Sequence, residues 1–291
     1  TEEVRRGLGR LLDAGARVSG VWLQDWTGKR TTSFGDRLWW TWQRDRNRYP
    51  RWSRLVADLA ERGIATTTYV NPFLVDAAAK ADPSIRNLWA EARDRGYLVT
   101  DPAGAPYALD QGEFDAYLVD LTNPEARSWF AGVIARYVLA DGVRGFMADF
   151  GEGLPFDAQL HAGDAAELHN RWPALWAETV RSACERAHQP RCVTWFRSGA
   201  QGQAAHAPLF WSGDQLVTFS REDGLASALL GMLSAGVSGW PLVHSDIGGY
   251  TSVNAFVKDY VRTPELLARW AELQAFGVAM RTHEGNRPDV N

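Results

Sequence analysis

Cysteine, lysine and long apolar runs are scarce in this chain, and each shortage closes off a class of explanation. There are two cysteines, Cys184 and Cys192, one in a helix-like segment and one in the strand-like segment after it. Two thiols do not make a disulfide framework, and no Cys/His spacing matches a zinc site. No apolar run approaches the ~18 residues of a membrane-spanning helix, and no secretory signal is legible. Lysine is confined to Lys29, Lys80 and Lys258, with arginine carrying the other positive charges. That bias follows genome composition and decides little about function. The net charge of −4 gives no reason to expect nucleic acid or stable association with an anionic membrane surface. Thr1 is not a natural start, so the 291 residues read as a piece of a longer protein, with a cytoplasmic bacterial location as the expectation.

What is present is an ordinary globular balance, 45% apolar and 23% charged residues, enough to fill a substantial core in one or two domains. The fourteen tryptophans serve mostly as core, although flat aromatic faces also suit sugar rings. Strand-like runs at Val18–Trp26, Ile64–Phe73, Ala116–Leu121, Val143–Ala148, Cys192–Arg197, Pro208–Trp211, Ser238–Val243 and Gly277–Met280 alternate with helical segments. The helices are expected over residues 3–14, 50–62, 76–98, 125–140, 163–188, 224–235 and 263–276. Eight strands in that alternation predict an α/β protein of the (β/α)8 TIM-barrel class, filling residues 1–291 and stopping near strand eight. A doubly wound sheet stays open as the second topology, but no G-x-G-x-x-G or P-loop fingerprint follows the first strand. The long loop over 27–49 is rich in polar and aromatic residues, which in a compact domain is usually a functional feature.

The stretch Val143–Pro155, V-R-G-F-M-A-D-F-G-E-G-L-P, has the look of a buried strand delivering Asp149 to its C-terminal mouth. A plain helix cap is the competing reading, because aspartate is a favoured N-cap. Other polar residues at predicted strand ends are Gln24, Asp25, Asn71, Asp120, Arg197, Asp214, His244, Asp246, Arg281 and His283. Such a ring on one face is what an active site on a barrel looks like. Any single member also reads as a capping or salt-bridged loop residue.

Two carboxylates across a barrel mouth can hydrolyse a glycoside. One attacks the anomeric carbon while the other protonates the leaving oxygen and then activates water, and retention requires a separation of roughly 5–5.5 Å. Asp149 and Asp214 are the candidates, with Asp214, after W-S-G, as the proton donor. A metal site built from His244, Asp246 and His283 with Asp149 is the rival. Against it, the first strand ends Q-D-W where barrel metallohydrolases carry H-x-H. A catalytically silent sugar-binding barrel is the third reading.

Five stretches in order, G-V-W-L-Q-D-W-T-G-K-R-T-T-S-F-G-D-R-L-W-W, M-A-D-F-G-E-G-L-P, F-W-S-G-D-Q, H-S-D-I-G-G-Y-T and M-R-T-H-E-G-N-R-P, resemble glycoside hydrolase family 31, in the version carried by its sulfoquinovosidases. The likeness runs from about residue 18 to 288. It implies a retaining α-glycosidase barrel with β domains before and after it that lie outside this stretch. By that resemblance Asp149 is the nucleophile and Asp214 the acid/base. Arg37, Trp40 and Tyr250 match the sulfonate pocket, with Gln24, Arg197 and His283 on the sugar hydroxyls. The implied substrate is a sulfonated sugar, an α-sulfoquinovoside of glycerol or diacylglycerol, and no metal or organic cofactor is needed. Neutral α-glucosides are the alternative substrate, and homo-oligomerisation is left open. His244 and Asp246 read as structural supports of the strand-seven loop.

Overall fold

The computed structural model describes residues 1–254 and 259–283; the E-G-N-R-P end of the last motif lies outside the described residues. The chain divides into two compact units, Thr1–Arg30 with Leu38–Thr194 and Thr31–Arg37 with Trp195–Asn291. In chain order the first carries α1 (Glu2–Asp13), β1 (Gly20–Trp22) and a hairpin of β2 (Lys29–Thr32) and β3 (Gly35–Leu38), whose tip belongs to the second unit. Then come α2 (Trp52–Glu61), β4 (Ala65–Val70), β5 (Phe73–Leu74), α3 (Leu88–Asp94), β6 (Leu109–Asp110), β7 (Asp115–Leu118) and α4 (Pro124–Val133). β8 (Gly145–Ala148), α5 (Ala165–Leu168), α6 (Trp172–Arg186) and β9 (Val193–Phe196) follow, and the chain passes into the second unit within β9.

In this unit β1 pairs parallel with β4, and β4 with β8, from Thr67 opposite Gly145 to Val70 opposite Ala148. Every residue of β8 is buried, as expected of a parallel strand covered on both faces. Gly145 has no substitute here, since a Cβ would lie 1.8 Å from the Val193 carbonyl oxygen. Helix α2 buries Trp52, Leu55, Val56 and Leu59 on one stripe, each contributing about 1.5–3 kcal/mol at most. Helix α4 begins as T-N-P foretold: Asn123 Oδ1 accepts from the amides of Glu125 and Ala126, with Pro124 in the first turn. The core includes fully buried Trp26, Trp42, Phe130, Phe146, Trp172 and Trp176.

The second unit holds β10 (Leu209–Trp211), α7 (Leu225–Val237), β11 (Leu242–His244), β12 (Asp246–Ile247), β13 (Val253–Asn254), β14 (Asp259–Tyr260), α8 (Pro264–Gln274) and β15 (Arg281–Thr282). β9, β10 and β11 pair parallel, with Trp195 opposite Leu209 and Leu209 opposite Leu242. β12 pairs parallel with β15, Asp246 opposite Arg281. Val217, Ala228, Ile247, Leu266 and Trp270 form its core, and the Trp270 indole donates to the Ser245 hydroxyl at 2.8 Å.

Six of the eight expected strands overlap their predicted ranges and pair parallel within their units. The third does not. β7 runs antiparallel to β5 and β6, and the Pro72 carbonyl accepts from the Val119 amide at 3.1 Å. The eighth forms at Arg281–Thr282, beyond the expected 277–280. The expected helix over 76–98 breaks into a short turn, Ala77–Lys80, and α3, with Ala81 left-handed at φ 54° and Pro83 just after it. Cys184 and Cys192 are joined by a disulfide across the α6–β9 connection, Cα atoms 6.0 Å apart, a single bridge rather than a framework. Helix and strand ends fall within the reach of a bridge, a proximity that spacing alone does not reveal. No described helix is long and apolar enough to cross a membrane.

Candidate active site

In the first unit the sequence brings Asp149 to the end of β8, where its amide donates to the Val70 carbonyl at 2.9 Å. Its side chain is buried, and Oδ2 accepts a 2.6 Å hydrogen bond from the Tyr69 hydroxyl. Asn71 completes the chain: Nδ2 donates to that hydroxyl at 3.1 Å, while Oδ1 accepts from the Phe73 amide at 3.0 Å. The next helix, α5, starts sixteen residues on and is capped by Asp164, so Asp149 is no helix cap. The backbone turns immediately after it, with Phe150 at φ 59° and Gly151 at φ 102°. A left-handed phenylalanine is a genuine backbone outlier, and such strain clusters at functional sites. The Phe150 ring packs edge-on against Trp40 and Phe73, and Phe114 also meets Trp40 edge-on, all with centroids 5.2–5.5 Å apart. Trp40 itself is buried. Arg30, at the base of the hairpin, lies 3.8 Å from the ring centroids of both Trp39 and Phe114, a guanidinium held between two π faces. Gln24 is half-buried in the turn after β1.

Two ring candidates in this unit are structural. Asp120 accepts from the amide and hydroxyl of Thr122 and from the His161 amide. Asp25 pairs with Arg48 and accepts from the Tyr49 hydroxyl, whose own ionisation is pushed far up by burial and then by that carboxylate. Lys80 donates to the Thr27 carbonyl at 2.6 Å and pairs with Asp45 at 2.9 Å, anchoring the loop that leads into the hairpin.

The second unit gathers most of the remaining candidates. Asp214 follows β10 through Gly213, at φ 80°. Its side chain is 40% exposed, and Oδ2 stands 3.7 Å from Arg197 Nη1. Ligand-capable atoms of Asp214, Asp246 and His283 all lie within 4.8 Å of one another. Asp246 is wholly buried; it pairs with Arg281 and accepts at 2.8 Å from His283 Nδ1. Burial alone would raise its pKa, but Arg281 and then His283 outweigh burial and hold it below the ordinary carboxylate value. The Arg281 guanidinium also lies 5.3 Å from the Trp211 ring centroid and 5.6 Å from that of Trp195, and donates to His244 Nε2 at 3.3 Å. Burial, then the charge of Arg281, pushes the His244 imidazole down to about 3.

Tyr250 meets His283 edge-on at 4.6 Å. One side chain fixes both: Arg262 Nη2 donates to the carbonyls of Gly249, Tyr250 and His283 at 2.9–3.0 Å, and Nε to Gly248. Gly249, at φ 82°, lets the loop pass against the carbonyls of Gln215 and Leu216, where a Cβ would sit 3.0 Å from each oxygen. Arg37 is half-buried on β3, in a hairpin tip closed by Thr32 Oγ1 donating to the Gly35 carbonyl at 2.9 Å. The Asp214, Asp246 and His283 trio has the spacing of a cation site, but Asp246 is already neutralised by Arg281 in direct contact. A divalent ion there would meet that fixed positive charge.

Sequence reading missed Tyr69 and Arg262. Tyr69 carried a signal, since it lies two residues before Asn71 and so on the same face of the strand. Arg262 carried none, because nothing local marks an arginine that folds back on four distant carbonyls.

Residues 1–290 match the family model for the glycosyl hydrolases family 31 TIM-barrel domain. The chain is 47% identical over 288 residues to a sulfoquinovosidase of Agrobacterium fabrum, covering 98% of this chain and 41% of that protein. It is 42% identical over 293 residues to a sulfoquinovosidase of Escherichia coli, covering 100% of this chain and 41% of the other. It superposes with a TM-score of 0.90 and 44% identity on a GH31 family sulfoquinovosidase from E. rectale in complex with an aza-sugar inhibitor, over 98% of this chain and 41% of that one. The chain therefore spans less than half the length of these relatives. It belongs to glycosyl hydrolase family 31 and corresponds to that family's TIM-barrel domain.

Proposed function

We propose that the protein containing this chain is a retaining α-glycosidase that hydrolyses α-sulfoquinovosides of glycerol or diacylglycerol, releasing sulfoquinovose. The observation that carries the reading is the identity of 47% and 42%, across nearly the whole chain, to two proteins named sulfoquinovosidase. The site geometry is consistent with it. Asp149 is a buried strand-end carboxylate oriented by Tyr69, suited to attack on the anomeric carbon. Asp214, more exposed and flanked by Arg197, suits proton exchange with a leaving group and with water.

The reaction runs as two displacements. Asp149 forms a glycosyl ester as Asp214 delivers its proton to the departing glycosidic oxygen. Asp214, now ionised, takes a proton from water, and the hydroxide oxygen displaces Asp149 from the opposite face, so the anomeric configuration is retained. Arg37 offers a sulfonate the planar fork of a guanidinium. Trp40 presents an indole and Tyr250 a phenol that can hold a bridging water. Gln24, Arg197 and His283 would hydrogen-bond the sugar hydroxyls. This chemistry needs no metal and no organic cofactor.

Hydrolysis of paired aryl α-sulfoquinovoside and aryl α-glucoside substrates by the full-length protein tests the reading. Strong preference for the sulfonated member is expected. Equal or better cleavage of the neutral glucoside would mark an ordinary family 31 α-glucosidase, and binding without release of the aglycone a silent barrel.

A further inference from the structure

Behind His283 stands a buried charge arrangement that the two-carboxylate chemistry does not use. Asp246 is wholly buried and yet carries two cationic or donor partners, the guanidinium of Arg281 and Nδ1 of His283. Register puts it there: β12 and β15 run parallel with Asp246 opposite Arg281, and His283 follows β15 by one residue. Arg281 is held in turn by the rings of Trp195 and Trp211 and by His244. Leaving a carboxylate unpaired in such a place costs several kcal/mol, so a fold that keeps one there has it fully engaged.

An ionised carboxylate can only accept, so the 2.8 Å contact requires the hydrogen on His283 Nδ1. In the neutral ring the other nitrogen, Nε2, then bears a lone pair and accepts. The same logic makes a buried aspartate set the tautomer of a catalytic histidine in the serine proteases.

We propose that Asp246, kept ionised by Arg281, is a positioning residue that locks His283 in its Nδ1–H form, so that Nε2 receives a hydrogen bond from a hydroxyl of the bound sugar. The proposal rests on the reading of His283 as a sugar contact, and it makes that contact selective for a donor. A hydroxyl can satisfy the nitrogen; a methoxy or fluoro group at the same sugar position cannot. Asp246 acts through His283 and touches no reacting atom.

The tautomer is testable without turnover. In the full-length protein labelled with 15N-histidine, the His283 signals, assigned by their loss in His283→Gln, are expected to show a protonated Nδ1 and an unprotonated Nε2 at neutral pH. A protonated Nε2, in either the opposite tautomer or the imidazolium, overturns the proposal. In Asp246→Asn the Nδ1 preference is expected to weaken.

The second arm is a cycle on the aryl α-sulfoquinovoside. Asp246→Asn should lower kcat/KM by about a hundredfold, less than the ~10⁴ that the equivalent wrong-tautomer change costs a serine protease, because His283 binds the sugar and moves no proton in the reaction. The same change in a His283→Ala background should cost less than about threefold, because its route is already cut. Full additivity of the two losses overturns the positioning role. Should Asp246→Asn fail to fold, the labelled wild type still decides. If the wild type does not cleave the sulfoquinovoside at all, the activity reading fails while the tautomer measurement stands independently.

Discussion

Tyr69 and Asp149 meet across neighbouring parallel strands, the phenol hydroxyl 2.6 Å from Oδ2 and both side chains buried. A stiff aryl ring packed in the core fixes the carboxylate's rotamer more firmly than a flexible donor would. Asp149→Asn is expected to abolish aryl sulfoquinovoside turnover with an unchanged circular dichroism spectrum, and activity above trace would remove it as nucleophile. Tyr69→Phe keeps the ring and deletes one donor. It should lower kcat about tenfold to a hundredfold with KM nearly constant and cost about 1–2 kcal/mol of stability. An unchanged kcat would reduce the hydrogen bond to packing.

Arg37 sits half-buried on β3, in the hairpin tip. If its guanidinium grips a sulfonate, Arg37→Ala should weaken kcat/KM for the sulfonated substrate by at least a hundredfold while changing the matched glucoside less than threefold. Arg37→Lys should recover only a part, since an ammonium lacks the planar fork. Equal losses on both substrates would discredit the sulfonate role.

The elements legible in the sequence were those whose signals are local. Parallel strands read as short apolar runs with a polar residue at the mouth, which is how β8 and Asp149 stood out, and T-N-P marked the start of α4. Where the outcome depended on partners far along the chain, the reading failed. Nothing in Ala116–Leu121 says that its partner is Phe73–Leu74, more than forty residues earlier, or that the two run antiparallel. Asp120 and Asn71 look alike as strand-end polar residues. Only the structure shows the first spent on Thr122 and His161 and the second bonded into the Tyr69–Asp149 chain. Arg262 and its four carbonyls belong to the same class.

Gly145 gives a sharp test of strand packing. An alanine there would place its Cβ 1.8 Å from a backbone oxygen of Val193, where no side chain can yield. Gly145→Ala should therefore cost about 3 kcal/mol or more, the upper end of overpacking effects, read from chemical denaturation midpoints. Gly231→Ala in α7, where a Cβ meets nothing within 4 Å, should be neutral or stabilising by up to about 1 kcal/mol. Similar losses at both positions would mean that the close approach of β8 to Val193 is wrong.

The Cys184–Cys192 bridge closes a short loop, eight residues apart in sequence. A loop of that size contributes about 2–3 kcal/mol by restricting the unfolded chain. Replacing both cysteines with alanine should lower the thermal midpoint, and a reductant should do the same to the wild type and leave the double variant unmoved. The bridge and the cytoplasmic expectation pull apart, because cytosolic thiols are kept reduced. Counting free thiols in protein alkylated at the moment of lysis decides which state the cell holds.

His244 contributes an acid sensitivity that one substitution can remove. Its pKa falls from 6.5 to about 3 on folding, driven first by burial and then by Arg281, with Asp246 opposing. As pH drops below about 6.5 the unfolded chain takes up a proton that the native imidazole refuses until about 3. The unfolded state thus binds more protons in that window, and stability falls with pH across it. A shift of this size corresponds to several kcal/mol as an upper bound. Asp246 also has a depressed folded pKa, but its contribution is intact above the ordinary carboxylate value of 3.8 and is lost only below it. Of these two groups, only the histidine changes its proton uptake between pH 6.5 and 4. His244→Gln cannot take up that proton. It should be less stable than the wild type at pH 7 by about 1–2 kcal/mol, and the difference should shrink, then reverse, as denaturation midpoints are followed down to pH 4. Parallel pH profiles for the two proteins would show that His244 is not the group that titrates.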